Sequence, residues 1–229
     1  MPPAGRRARR RRAAFRGHFF TTTVARLGPH LRDLEASLAR LLPELFDGTV
    51  AGRLVPHLDP SAGPGVAVAP GHSLRRGTVV GLYFGDVLDS ASLPRGDYVL
   101  DLGRVLRRGR SLRLLIDGAR RCSRRGGAVP DLRNAALLNH TCWDASVRIG
   151  RLARCAFPCA VAYTTRRLEA GDLLRWDYDG GRHGSAFTVD AAEGARLLAQ
   201  GVTCVPCACR VGQPCPGPRQ RWFPIYDDA

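Results

Sequence analysis

Between Gly48 and about residue 182, Gly and Pro cut the chain into apolar runs too short for helices. Val66–Ala69, Thr78–Tyr83, Tyr98–Leu102, Leu112–Ile116, Cys159–Thr164 and Leu173–Trp176 read as strands joined by tight turns. This texture excludes a helical bundle and regular βαβ alternation. Helical patterns flank it. In Pro29–Phe46, Leu31, Leu34, Leu38, Leu41, Leu42 and Leu45 recur at three- and four-residue steps, with Pro29 tolerated in the first turn. The stripe packs on the main domain or, alternatively, on a second copy. In Asp190–Gln200, Asp190 and Glu193 have capping-box spacing and Gly201 is a stop signal. The expected fold class is α+β, mostly β. The expected divisions are a disordered basic tail (1–28), an amphipathic helix (29–47), the main domain (48–182), a helical connector (183–203) and a Cys-rich tail (204–229).

Charge narrows the partner. The 229 residues carry a formal +15, and all 35 basic residues are Arg. Residues 1–28 hold eight Arg and no acid, and residues 104–125 hold nine Arg and one acid, so the remainder is nearly neutral. Two basic patches on a neutral body point to a polyanion such as nucleic acid, bound through Arg6-Arg12 and the Arg104-Arg125 region. The first patch also fits a nuclear-import signal or a solvated tail. No apolar run reaches the roughly 18–20 residues of a membrane span. The Arg-rich start lacks the apolar stretch of a secretory signal, so an intracellular, thiol-reducing compartment is expected. With two Asn and abundant Ala, Gly, Pro and Arg, the composition reads as a GC-rich gene.

Three clusters carry candidate chemistry. The first is Gly63-Pro64-Gly65 before an apolar strand, followed by Tyr83-Phe84-Gly85-Asp86. A Gly-x-Gly turn lets backbone approach a bound molecule closely, and alone it is also an ordinary structural turn. The second is Asn139-His140-Thr141-Cys142, and the third is Glu169-Ala170-Gly171-Asp172-Leu173-Leu174-Arg175-Trp176-Asp177-Tyr178. In order and spacing, residues 60–180 resemble the SET-domain family of lysine methyltransferases, with its GxG strand and its Y-x-G-E, N-H-S-C and G-E-E-L-x-F-D-Y segments. Cys207-x-Cys209-x₅-Cys215 resembles the family's post-SET segment. The chain departs from the pattern at Ala136-Leu137, at Asp144-Ala145, and at Asp86 and Asp172, where the family has Glu.

The resemblance implies a β-fold in which the Asn139–Cys142 and Asp177–Tyr178 segments thread together in a pseudoknot. It implies S-adenosylmethionine against Gly63, Pro64, Gly65, Asn139, His140 and Tyr178, with the target lysine entering from the opposite face. Tyr178 would orient the amine, while Tyr83 and Trp176 would wall the channel; His140 is a cofactor contact or a structural histidine. Methyl transfer to an amine is an in-line displacement, which needs alignment, exclusion of water and a neutral amine. The resemblance also implies zinc on Cys142, Cys207, Cys209 and Cys215, with Cys204 as an alternative fourth ligand. A metal would supply folding energy to a tail without a core of its own. Trp222 and Phe223 cover the cofactor or simply pack. The expected activity is methylation of histone lysine in chromatin or nucleosomes, in the nucleus (the host nucleus for a viral protein) or at a cytoplasmic viral site. The alternative is an idle SET-like module that binds chromatin or nucleic acid as a scaffold.

Overall fold

A computed structural model of the chain describes residues 15–17, 19–24, 27–59, 63–89, 99–107, 110–118, 130–141, 144–152, 159–177, 189–207 and 222–225. The chain opens with two short strands, β1 (Phe15–Arg16) and β2 (Thr21–Thr22), then helices α1 (Gly28–Leu41) and α2 (Pro43–Phe46). Next come β3 (Leu54–Asp59), β4 (Gly63–Val68), β5 (Val79–Leu82), β6 (Asp86–Asp89), β7 (Val99–Arg107) and β8 (Arg110–Asp117). They are followed by β9 (Asn139–His140), β10 (Val147–Arg151), β11 (Ala160–Thr164) and β12 (Arg175–Trp176). Helix α3 (Ala191–Ala199) precedes the hairpin of β13 (Thr203–Pro206) and β14 (Trp222–Ile225). The strands make two five-stranded sheets, β1-β2-β6-β8-β7 and β5-β11-β10-β12-β9, and the hairpins β3-β4 and β13-β14. The chain is mostly β, with few helices.

The leucine stripe behaves as a core face: Leu31, Leu34, Leu38 and Leu45 are buried in one cluster with Val66, Leu82, Phe84 and Trp176. The expected single helix is interrupted. Pro43 removes a backbone donor and disfavours helical geometry in the residue before it, and Leu42 sits at φ −133°, ψ 57°. Leu41, beside the break, is 44 % exposed, while Leu45 turns inward. At α3 the Asp190 carboxylate accepts from the Glu193 N–H at 2.9 Å, as the capping spacing predicts. The Arg196 guanidinium beside Glu193 holds that carboxyl below its usual range.

Order starts earlier than the sequence suggests. Residues 15–17 and 19–24 were expected to lie in a disordered tail, yet Phe19 and Phe20 are fully buried. The Phe19 ring sits 4.6 Å edge-on from Phe46 and 4.8 Å from Phe84. Glu35 accepts the N–H groups of both Phe19 and Phe20 at 2.9 Å. Arg133 closes the other side, with its guanidinium 5.0 Å from the Phe19 ring centroid, bonded twice to Asp131 and donating to Leu45 O at 2.6 Å. A density of eight arginines concealed two core aromatics. The basic run Arg6-Arg12 lies outside the described residues.

Phe19→Ala should therefore lower unfolding stability by about 3–5 kcal/mol in urea titration, as for a core aromatic. A residue in a solvated tail would change it by less than about 0.5 kcal/mol.

Candidate functional site

The site is built around the segment Leu168–Trp176. It first runs antiparallel to β4, pairing Leu173 with Ala67 and exchanging Val68 N–H to Asp172 O (3.0 Å) and Leu174 N–H to Val66 O (2.9 Å). It then becomes β12 and enters between β9 and β10, strands that are neighbours in sequence. Arg175 and Trp176 pair in parallel with Asn139 and His140 on one side, and Trp176 pairs with Val147 on the other. A later strand thus occupies the gap between two earlier ones. The continuation through Cys142 and Tyr178 lies outside the described residues.

Buried polar groups fix this insertion. The Ser146 hydroxyl, 1 % exposed, donates to Leu173 O at 2.7 Å and accepts from the Arg175 N–H at 3.0 Å. The Thr141 N–H donates to Trp176 O at 3.1 Å, and the Trp176 indole N–H to Leu138 O at 3.2 Å. Both faces of the segment are thereby held to one register.

The Gly63-Pro64-Gly65 segment reaches the same place; expected as a turn before a strand, it forms the first half of β4, paired with His57–Asp59 of β3. Gly63 has φ +76°, a conformation that side chains rarely adopt. A Cβ on Gly65 would come 2.7 Å from Asn139 Nδ2, and that nitrogen donates to Gly63 O at 3.5 Å. A side chain at position 65 would have to push the Asn139 amide aside. Pro64 is exposed beside them, and His140 is 6 % exposed. The Asp59 carboxylate, 2 % exposed, pairs with the Arg175 guanidinium. Because Asp59 registers with Gly63 across β3-β4, this ion pair ties the end of β3 beside Gly63 to β12.

Tyr83 (3 % exposed) and Trp176 (8 % exposed) belong to one contiguous buried cluster. Asn134, fully buried, connects the Tyr83-Phe84 corner to the Asn139 segment. Its carboxamide accepts from Phe84 N–H (3.4 Å) and Ala136 N–H (3.1 Å) and donates to Phe84 O (3.2 Å). Sequence reasoning missed Asn134, Ser146 and the Asp59–Arg175 pair. For Asn134 a signal existed: the chain has two asparagines, and both hold this site.

The departures from the motif pattern have local accommodation. Ala136 and Leu137 are both 7 % exposed in the core. Asp144 pairs with Arg166 at 3.0 Å. Asp172 accepts the Glu169 N–H at 2.9 Å, and Asp86 accepts the Thr21 hydroxyl.

Of the cysteines, Cys204 (8 % exposed) and Cys207 (2 % exposed) are buried, and Cys142, Cys209 and Cys215 lie outside the described residues. Among the described residues, no three His, Cys, Asp or Glu side chains gather closely enough to hold a metal ion.

No family model matches the chain, and no curated protein matches it in sequence. Solved structures do match in fold. A crystal structure of ATXR5 in complex with histone H3.1 mono-methylated on R26 is 17 % identical, with a TM-score of 0.51 over 75 % of this chain and 84 % of that one. The ATXR5 SET domain in complex with histone H3 di-methylated on R26 is 18 % identical, with the same coverage and TM-score. The likeness establishes a SET-like fold for this chain.

Asp59→Ala should destabilise the protein by about 3 kcal/mol, because it strands the Arg175 charge in a largely buried setting. Asp59→Leu combined with Arg175→Met should recover most of that loss in the same urea titration. Equal losses in the single and double variants would contradict the ion pair's role.

Proposed function

We propose that this chain is an S-adenosylmethionine-dependent protein-lysine N-methyltransferase that acts on histone lysine. The observation that carries the proposal is the convergence of Gly63–Gly65 with Asn139 and with β12, three parts of the chain far apart in sequence. Backbone at Gly63–Gly65 beside the Asn139 amide would suit a polar cofactor. Bound there, S-adenosylmethionine supplies an electrophilic methyl group on a sulfonium.

The chain's own residues do the rest. Gly63, Pro64 and Gly65 present backbone to the cofactor, and Asn139 and His140 hold it from β9. Trp176, with its indole N–H taken by Leu138, offers hydrocarbon and restricts room for the amine. Tyr83 and the apolar cluster keep water out, and low polarity favours the neutral, nucleophilic form of a lysine amine. Tyr178, two residues beyond Trp176, directs the amine lone pair with its hydroxyl; alignment of this kind is worth about a hundredfold in rate. Cys142, Cys207, Cys209 and Cys215 would hold a zinc ion, which would supply folding energy to the Cys-rich tail. The fold likeness to histone-bound SET structures supports the choice of a histone substrate.

The test is transfer of labelled methyl from S-adenosylmethionine to histone H3 and to nucleosomes. The parent should label lysine, and Tyr178→Phe should be about a hundredfold slower at unchanged stability. Gly65→Ala, which displaces Asn139, should raise the KM for S-adenosylmethionine at least tenfold. No transfer to any histone would favour the idle scaffold. The tail is tested separately by metal analysis of reduced protein, where about one zinc per chain is expected and far less would remove the metal.

A further inference from the structure

The β7-β8 hairpin is longer than the sheet it belongs to. Strand β6 pairs with β8 only from Asp117 back to Leu114. Beyond Leu114, among the described residues, β7 and β8 pair only with each other, as a two-stranded ribbon from Gly103–Arg107 and Arg110–Arg113. A register shift between Asp101 and Gly103 marks where the ribbon leaves the sheet, and such irregularities bend and twist the strand that carries them.

The ribbon's charge is arranged in an unusual way. Residues 102–116 contain five arginines and no acid. The register sets Arg104 directly opposite Arg113 and Arg107 directly opposite Arg110. Like charges directly opposite each other destabilise a ribbon. Guarding an edge strand against aggregation takes only an isolated charge, so it does not account for two opposed pairs. By the two-residue alternation of strands, the two pairs of register positions belong to opposite faces of the ribbon. They are three residues apart along each strand, roughly 10 Å.

We infer that this ribbon is a duplex-DNA-binding arm that enters the major groove and sets its two arginine pairs against the phosphates on either wall. The major groove is about 12 Å wide and admits a two-stranded β-ribbon. About 10 Å of duplex axis carries roughly six phosphates, enough for four guanidinium groups. Charge on both faces suits a groove with two walls; a flat anionic surface would use one face. The deep, narrow major groove of an RNA duplex does not admit the ribbon. This inference is independent of methyl transfer and requires no cofactor.

The test is fluorescence anisotropy of the full chain on a 30-base-pair DNA duplex across a salt series. Replacing Arg104, Arg107, Arg110 and Arg113 together with Gln should lower the log–log salt slope by about 3–4, as for four lost phosphate contacts. Arg107→Gln with Arg110→Gln, a milder change confined to the tip, should lower it by about 2. A control with the same charge loss elsewhere, R40Q/R75Q/R76Q/R148Q, should lower it by less than about 1. An unchanged slope in the tip variant, an equal fall in the control, or equally tight binding of an RNA duplex would overturn the inference.

Discussion

The passage of β12 between β9 and β10 is the constraint on which the rest of the molecule depends. Once a late strand fills the gap between two earlier ones, the elements on both sides are locked in register by backbone bonds. Ser146 and the Trp176 indole complete the lock with side-chain bonds in a dry setting, where an unmet polar group is costly. The Gly63–Gly65 half of β4 is placed indirectly: β4 pairs with the residues leading into β12, and the Asp59–Arg175 ion pair fastens the neighbouring end of β3 to β12. Glycine at position 65 lets the Asn139 amide lie against β4 without displacement.

The site's support differs from what the motif pattern suggests. The buried Asn134 carboxamide and the Asp59–Arg175 ion pair supply support that the motif reading did not single out. Asn134 bridges the Tyr83-Phe84 corner to the segment before Asn139, while Ala136 and Leu137 fill core space. Short acids at positions 86 and 172 still reach partners, namely the Thr21 hydroxyl and the Glu169 amide. Around the convergence of Gly63–Gly65, Asn139 and β12, these side chains hold the segments in place. The proposed chemistry asks for that geometry, since alignment and exclusion of water are its main requirements.

Much of this was legible in the sequence where periodicity was regular. The leucines of α1 declared their core face, and Asp190 with Glu193 declared the start of α3. The strands around Val66, Val80 and Val161 were legible as apolar runs between turns. Other features were not readable locally. Phe19 and Phe20 are buried by partners 15 or more residues away, so arginine content masked them. Strand β3, His57 and the exposed Leu58 included, lacks a continuous apolar run and is defined by its pairing with β4. The tail was expected not to pack by itself, and its two ends in fact close a hairpin, Cys204 opposite Pro224. The strand insertion at Trp176 has no local signature; threading in this region was expected only from the family resemblance.

The central claim is that Gly63–Gly65, Asn139 and β12 together form a cofactor cleft. Calorimetric titration of the full chain with S-adenosylhomocysteine, the demethylated product, tests it without needing a substrate. The account expects one site per chain with a Kd in the micromolar range, about −8 kcal/mol. It also expects that binding to be lost when Asn139 is replaced by Leu in a protein that melts like the parent. No heat of binding in the parent, or unchanged binding in the Asn139→Leu protein, would contradict it.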